Sequence, residues 1–251
     1  MRRIIAIAVG VWCAVFFVKP LMAQVNIERL RPSLGPGVMS QSLRFGVTYL
    51  TGNSDSLEIQ PVYRLDYSES GWSAFVIGDV HYGNRNGINF VNQTFFHGRI
   101  MVPVTDYATL EVFVQKERDD FRRMRDRQLF GGNYRLALLN SPYLQVAAAL
   151  GVMLENENNT IEGESCLFRL NSYGTGHFSL ANFNGTTTLY FQPALSDFSN
   201  FRLLMDNSAT AMIGESNVGL MMSLKVTYDH NPPETVKPLD ISLTSGLELK
   251  F

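Results

Sequence analysis

Two cysteines and two tryptophans in 251 residues rule out several chemistries at once. Cys13 sits in an apolar stretch near the start, so Cys166 is the single thiol of the rest of the chain. One thiol builds neither a disulfide, a thiolate metal site nor a redox pair. A charge excess of one sign is also missing: 21 Lys and Arg stand against 23 Asp and Glu, a formal net charge of −2. That balance argues against a nucleic-acid partner, whose phosphates require a basic face. No apolar run after residue 23 approaches the roughly 20 residues of a membrane-spanning helix. Histidine is scarce, with His81, His97, His177 and His230 the only four. His177 lies near Ser179, and Asp79 lies two residues from His81. Neither pair completes a nucleophile–base–orienter set, and no G-x-S-x-G occurs. No catalytic residue is therefore assigned and the chain is not expected to be an enzyme. Asp119-Asp120 and the polar stretch from Asn156 to Glu164 lack the spacing of a calcium loop. No metal or cofactor is expected.

What is present starts with Arg2-Arg3, an unbroken apolar stretch from Ile4 to Val18, and Leu21-Met22-Ala23. A basic head, an apolar core and a small residue at the end make a secretory signal peptide, residues 1–23, cleaved after Ala23. The core is 15 residues long, short of a membrane span. Removal of Arg2, Arg3 and Lys19 leaves 18 basic and 23 acidic residues, a net charge of −5. Residues 24–40, with Pro32, Gly35, Pro36 and Gly37, show no clean period and read as a periplasmic lead-in.

From residue 41 onward the pattern is period two, the mark of strands whose two faces meet different surroundings. Twelve strand candidates follow one another, separated by turn residues. Leu57, Ile59, Pro61, Tyr63, Leu65 and Tyr67 oppose Glu58, Gln60, Arg64 and Asp66, and Pro61 is expected to mark a bulge. Arg118 to Arg127 reads as a heavily charged loop, and residues 174–185 as a long, poorly patterned connection between the eighth and ninth strands. Gly83–Gly87, Asn156–Gly163 and His230–Lys237 read as the longer, polar connections of one end. Mean hydropathy near zero in an exported chain rich in Phe and Tyr fits a transmembrane barrel, whose lipid-facing and lumen-facing residues average out.

The last strand alternates Ile241, Leu243, Leu247, Leu249 and Phe251 with Asp240, Ser242, Thr244, Glu248 and Lys250. It resembles the C-terminal strand of bacterial outer-membrane β-barrels, in which a terminal Phe belongs to the assembly signal; Phe251 is the candidate for that role here. Three further segments point the same way: Thr51-Gly52-Asn53-Ser54-Asp55; Glu117-Arg118-Asp119-Asp120-Phe121-Arg122 followed by Gly131-Gly132-Asn133-Tyr134-Arg135-Leu136; and Tyr228-Asp229-His230-Asn231-Pro232-Pro233. In this order and spacing they resemble a family of uncharacterised outer-membrane proteins of Gram-negative bacteria, catalogued as a domain of unknown function. Some members are described as salt-stress-induced. The resemblance implies an outer-membrane barrel and supplies no catalytic residues.

The expected architecture is therefore all-β, a closed antiparallel transmembrane β-barrel of about twelve strands over residues 41–251, after a cleaved leader. Its lumen would be lined by Arg44, Glu58, Arg64, Asp66, Asp79 and His81 from the first strands. Arg99, Glu111, Arg135, Arg202, Lys225, Asp240 and Glu248 would line it from the later ones. Two functions stay open: a narrow channel for small solutes or ions, and a non-conducting structural or envelope-stress protein with a salt-bridged, plugged lumen. The expected partners are outer-membrane lipid, lipopolysaccharide, and the assembly machinery through the last strand. The arginines of the Arg118–Arg127 stretch can pair with lipopolysaccharide phosphates or, equally, with Asp119, Asp120 and Asp126 beside them, and the pairing within the stretch is the favoured reading.

Overall fold

The computed structural model describes residues 36–52, 55–214 and 218–249. The leader, most of the lead-in and Phe251 lie outside the described residues. Among those described, the chain forms an antiparallel meander in which every strand pairs with its neighbour in sequence. The first half consists of β1 (Val38–Leu50), β2 (Ser56–Glu69), β3 (Trp72–Arg85), β4 (Ile88–Thr105), β5 (Ala108–Asp119) and β6 (Met124–Asn140). The second half consists of β7 (Leu144–Asn159), β8 (Gly163–Leu180), β9 (Phe183–Pro193), β10 (Phe201–Met212), β11 (Val218–Asp229) and β12 (Leu239–Leu249). No pairing between β1 and β12 occurs among the described residues, so the ladder is an open twelve-stranded sheet.

Several connections are tighter than the sequence suggests. The stretch Gly83–Gly87 continues β3 and turns at Asn86-Gly87, both with positive φ (50° and 80°), the backbone that a two-residue hairpin turn requires. Residues 174–185 are likewise strand: β8 runs on to Leu180 and turns at Ala181-Asn182, with Ala181 at φ 45°. The charged stretch Arg118–Arg127 is mostly strand as well. Only a 3₁₀ turn, Asp120–Arg122, and Arg123 separate β5 from β6. The Asp119 carboxylate caps that turn, accepting from the Phe121 and Arg122 amides at 3.0 and 3.2 Å. At the other end of the chain, β1 begins at Val38, inside the expected lead-in, because Val38, Met39 and Ser40 pair with Ser68, Tyr67 and Asp66.

Pro61 forms no bulge. Its register with β1 is continuous (Phe45 opposite Pro61), and the β3 register is the same on either side of it. Between Ile59–Tyr82 and Val62–Asp79, however, the β3 ladder is interrupted, as expected where a proline supplies no N–H.

The sheet curls until side chains of strands far apart in the order meet on its concave face. Tyr173 of β8 bonds Glu111 of β5, and Arg122 lies 3.7 Å from Asp240 of β12. The polarity of the two faces is the reverse of a water-soluble protein's. Arg169, His97, Glu111, Glu155 and Asp119 are among the most deeply buried side chains, while Leu43, Ile100, Phe130, Leu150, Phe168 and Ile241 are exposed. Apolar residues do occur inside, in small groups such as Phe75, Ile77 and Met101, and Phe113, Leu129 and Met153.

Candidate functional site

The concave face carries the chemistry, and its densest part is a network built from β5 to β11. Period-two spacing aims alternate residues of each strand inward, and the register then stacks them. Arg202 on β10 is the hub. Its guanidinium bonds Asp229 of the neighbouring strand at 2.8 Å and Glu157 of β7 at 2.9 Å, and it also bonds Glu155 of β7. Glu155 is shared with Arg169 of β8 at 2.9 Å. Arg169 in turn donates to the carbonyls of Gln192 and Asn200 at 3.1 Å. Glu117 and Arg127 pair beside this cluster. A buried ion taken alone carries a heavy desolvation cost; here every carboxylate faces at least one guanidinium, so the network holds its charges as a unit.

Toward the other end lies a second layer. Arg99 reaches Glu111 at 3.1 Å, and the Tyr173 hydroxyl donates to the same carboxylate at 2.9 Å. Asn171 donates to Asn133 at 3.1 Å and accepts from Gln192 at 2.8 Å. His97, fully buried, stacks against Phe75 and Phe113 at 5.7 and 5.8 Å and bonds Gln115 at 2.9 Å. Beyond it the inward residues become small hydroxyls, Thr175 and Thr188 bonding each other at 3.0 Å.

The remaining residues singled out in the sequence fall as follows. Arg64 pairs with Asp66 and lies over the Phe75 ring at 5.2 Å. Asp79 accepts from Gln60 at 3.4 Å, and His81 bonds Glu58 at 2.7 Å. Lys225 is buried opposite Asp206 in the β10–β11 register. Arg135 is half-buried on the inward face of β6, and Asp240 faces Arg122. The side chains of Arg44 and Glu248, like Phe251, lie outside the described residues. The structure thus gathers Glu111, Arg99 and Arg202 into the interior network and leaves the Glu58–His81 and Arg64–Asp66 pairs as separate contacts on β2 and β3.

Residues missed by sequence reasoning include Arg127 and Asp119, assigned there to a loop but buried and inward-facing. The signal was the period-two run Arg127, Leu129, Gly131, Asn133. Of the arginines in that stretch, Arg118 pairs with Asp120 at 2.9 Å. Arg123 and Arg125 are exposed and outside the ion pairs of the described residues.

Among the described residues, two interior spaces bear on the site. A cavity of about 520 Å³ opens at the mouth above the Arg202 hub, rimmed by Asn159, Glu162, His230 and Pro232. Deeper, between His97, Phe113, Gln115 and Leu204, only about 20 Å³ is free, room for roughly one water molecule.

An antiparallel meander with a charged concave face and an apolar convex one defines a class of proteins whose outside faces a medium less polar than their inside. The particular family follows from comparison with known proteins: a family model described as "Protein of unknown function, DUF481" matches residues 43–251, and the chain belongs to that family. No curated protein matches it. Two solved structures align with it. One is a NanC porin, 8% identical, with 85% of this chain and 99% of that chain covered and a TM-score of 0.49. The other is the translocator domain of the autotransporter NalP from Neisseria meningitidis, 13% identical, with 90% and 92% covered and a TM-score of 0.40.

Proposed function

We propose that this chain is an outer-membrane β-barrel with both termini on the periplasmic side and a lumen held shut by its own ion pairs. The observation that carries this reading is the reversed polarity of the sheet, with Arg169, Glu155 and Glu111 buried inside and Phe130, Leu150 and Phe168 exposed outside. Such a surface suits hydrocarbon, and lipid requires that backbone groups pair within the protein. The seam between β1 and β12 would therefore close in the membrane. Exposed Tyr49, Tyr107 and Tyr143 at strand ends suit the aromatic girdles at its boundaries. Support for a shut lumen comes from Arg202, which bridges strands on opposite sides of the network, and from the narrow space beside His97. Paired charges of both signs differ from the single-sign rings of selective pores. Contact with lipopolysaccharide phosphates rests, in this reading, on Arg123 and Arg125.

The test is insertion into liposomes, checked by protease protection and heat-modifiable gel mobility, followed by planar-bilayer recording. Insertion without current is the expected result. Steady open-channel steps from the unmodified protein would instead make it a narrow pore, a reading that the hydroxyl-lined inner half around Thr175 and Thr188 favours. Failure to insert would overturn the membrane assignment.

A further inference from the structure

On the convex face, two polar side chains meet in mid-strand between β9 and β10. Thr187 and Asn207 lie near the middle of β9 and β10, opposite each other in register. Along β10 the outward neighbours of Asn207 are Leu203 and Met205 on one side and Ala209 and Ala211 on the other; along β9 those of Thr187 include Leu189 and Phe191. Ser172, outward on the next strand, spends its hydroxyl on the Phe191 carbonyl at 2.8 Å. The Thr187 hydroxyl donates to the Asn207 side-chain oxygen at 2.5 Å. That bond leaves the Asn207 amide hydrogens with no partner among the described residues. If the chain spans a bilayer as proposed above, these donors face the hydrocarbon centre, where an unsatisfied polar group is costly.

Two glycines border the pair. Gly174 and Gly176 of β8 lie opposite Leu189 and Thr187 of β9. A Cβ on Gly174 would meet nothing within 4 Å, and one on Gly176 would make only an ordinary contact with Thr187 at 3.5 Å. Neither glycine has positive φ, so neither backbone strain nor a close contact among the described residues requires them. They leave a hollow beside the exposed Leu189.

We propose that this outward face of β8–β10 is where two copies of the chain meet in the membrane, with Asn207 of one against Asn207 of the other. A carboxamide is the side chain suited to this, because it carries both donor and acceptor. A twofold axis pairs it with itself by reciprocal N–H···O bonds, as an isologous interface demands. The glycines of β8, on the same face, keep side-chain bulk low beside the pair, and small residues are what let membrane segments approach closely. Lipid offers nothing for the amide at that depth. A different protein would not need a side chain that matches itself.

The test is single-molecule photobleaching of the fluorescently labelled full chain in liposomes over a series of protein-to-lipid ratios, with insertion verified independently. The expected result is two-step bleaching that falls to one step on dilution. Asn207→Leu should raise the dissociation constant by about threefold to thirtyfold. Gly174→Leu, whose Cβ would meet nothing within 4 Å and whose branch fills the hollow, should act in the same direction. Both variants should insert normally, since each makes the convex face more apolar. Val112→Leu, on the convex face of β5, should change nothing. Inserted protein that bleaches in one step at every ratio overturns the dimer alone, as does a dimer indifferent to both variants. Failure of the unmodified chain to insert overturns the membrane reading and the dimer with it.

Discussion

Arg202 on β10 and Glu155 on β7 are bonded across two intervening strands. Contacts of that span turn a curled sheet into a filled one, because a guanidinium anchored on one wall holds carboxylates on another.

Removal of that guanidinium leaves three carboxylates facing one another. Arg202→Met is expected to destabilise the folded protein by about 3–5 kcal/mol, the usual consequence of stranding buried charges. The shift in urea midpoint in detergent micelles measures it. Adding Glu157→Gln and Asp229→Asn should recover part of the loss, since fewer unpaired charges then remain. In planar bilayers the single variant should produce current where the unmodified protein produces none.

Ala181 holds φ 45° in the two-residue turn between β8 and β9. A left-handed backbone costs a residue with a Cβ about 1 kcal/mol, and glycine far less. Ala181→Gly should therefore raise stability by about that amount in the same urea assay. A loss of stability would show that the turn depends on the alanine methyl.

Gly151 and Gly174 should respond differently to the same substitution. A Cβ on Gly151 would stand 1.9 Å from the Gly132 carbonyl and 2.4 Å from the Asn133 side-chain oxygen. Gly151→Ala should cost about 3 kcal/mol or more through overpacking. Gly174→Ala should be close to neutral for folding of the single chain. Thermal unfolding of the two variants side by side separates a glycine that the fold needs from one that it does not.

The connection between β9 and β10 supplies a pH dependence. Asp197 accepts from the Ser199 hydroxyl at 2.7 Å and from the Ser199 amide at 3.0 Å. These bonds, the hydroxyl first, hold its carboxyl below the ordinary aspartate value of 3.8. A depressed folded-state pKa contributes stability that is present above the unfolded value and is lost as pH falls through the folded one. Asp197→Asn should therefore be less stable than the unmodified protein at neutral pH, with the gap closing below about pH 4. A gap that persists unchanged in acid would assign the effect to something other than the charge.

The strands were legible wherever one face was uniformly apolar. In β7, Leu144, Val146, Ala148, Leu150 and Val152 alternate with Gln145, Ala147, Ala149 and Gly151, and the structure aims them as the alternation predicts. Legibility failed where both faces were polar for different reasons. In β8 the outward residues Ser172, Gly174 and Gly176 lose their apolar character just where the inward ones are polar already, so the period vanishes and strand looks like loop. Around Arg118–Arg127, charges fill both faces: Glu117, Asp119 and Arg127 point inward while Arg118 and Arg125 are exposed. The ion pairs of the interior were legible as a population of charges of both signs. Their pairing was not, because partners such as Arg202 and Glu155 are 47 residues apart and only the curl of the sheet brings them together.

The sheet's unbroken strand order also bears on how the protein comes together. Each strand's partner is the next stretch of chain, so the sheet can grow by adding one hairpin at a time, with loop-closure entropy staying small at every step. Until the last hairpin arrives, one edge of the growing ribbon is always the most recent strand and the other is always β1. In the closed barrel proposed above, the long-distance search would be left to the end, when β12 would have to find β1 across the full circumference. In such a barrel a defect in either of those two strands would stall assembly at its final step, with the preceding hairpins already in place.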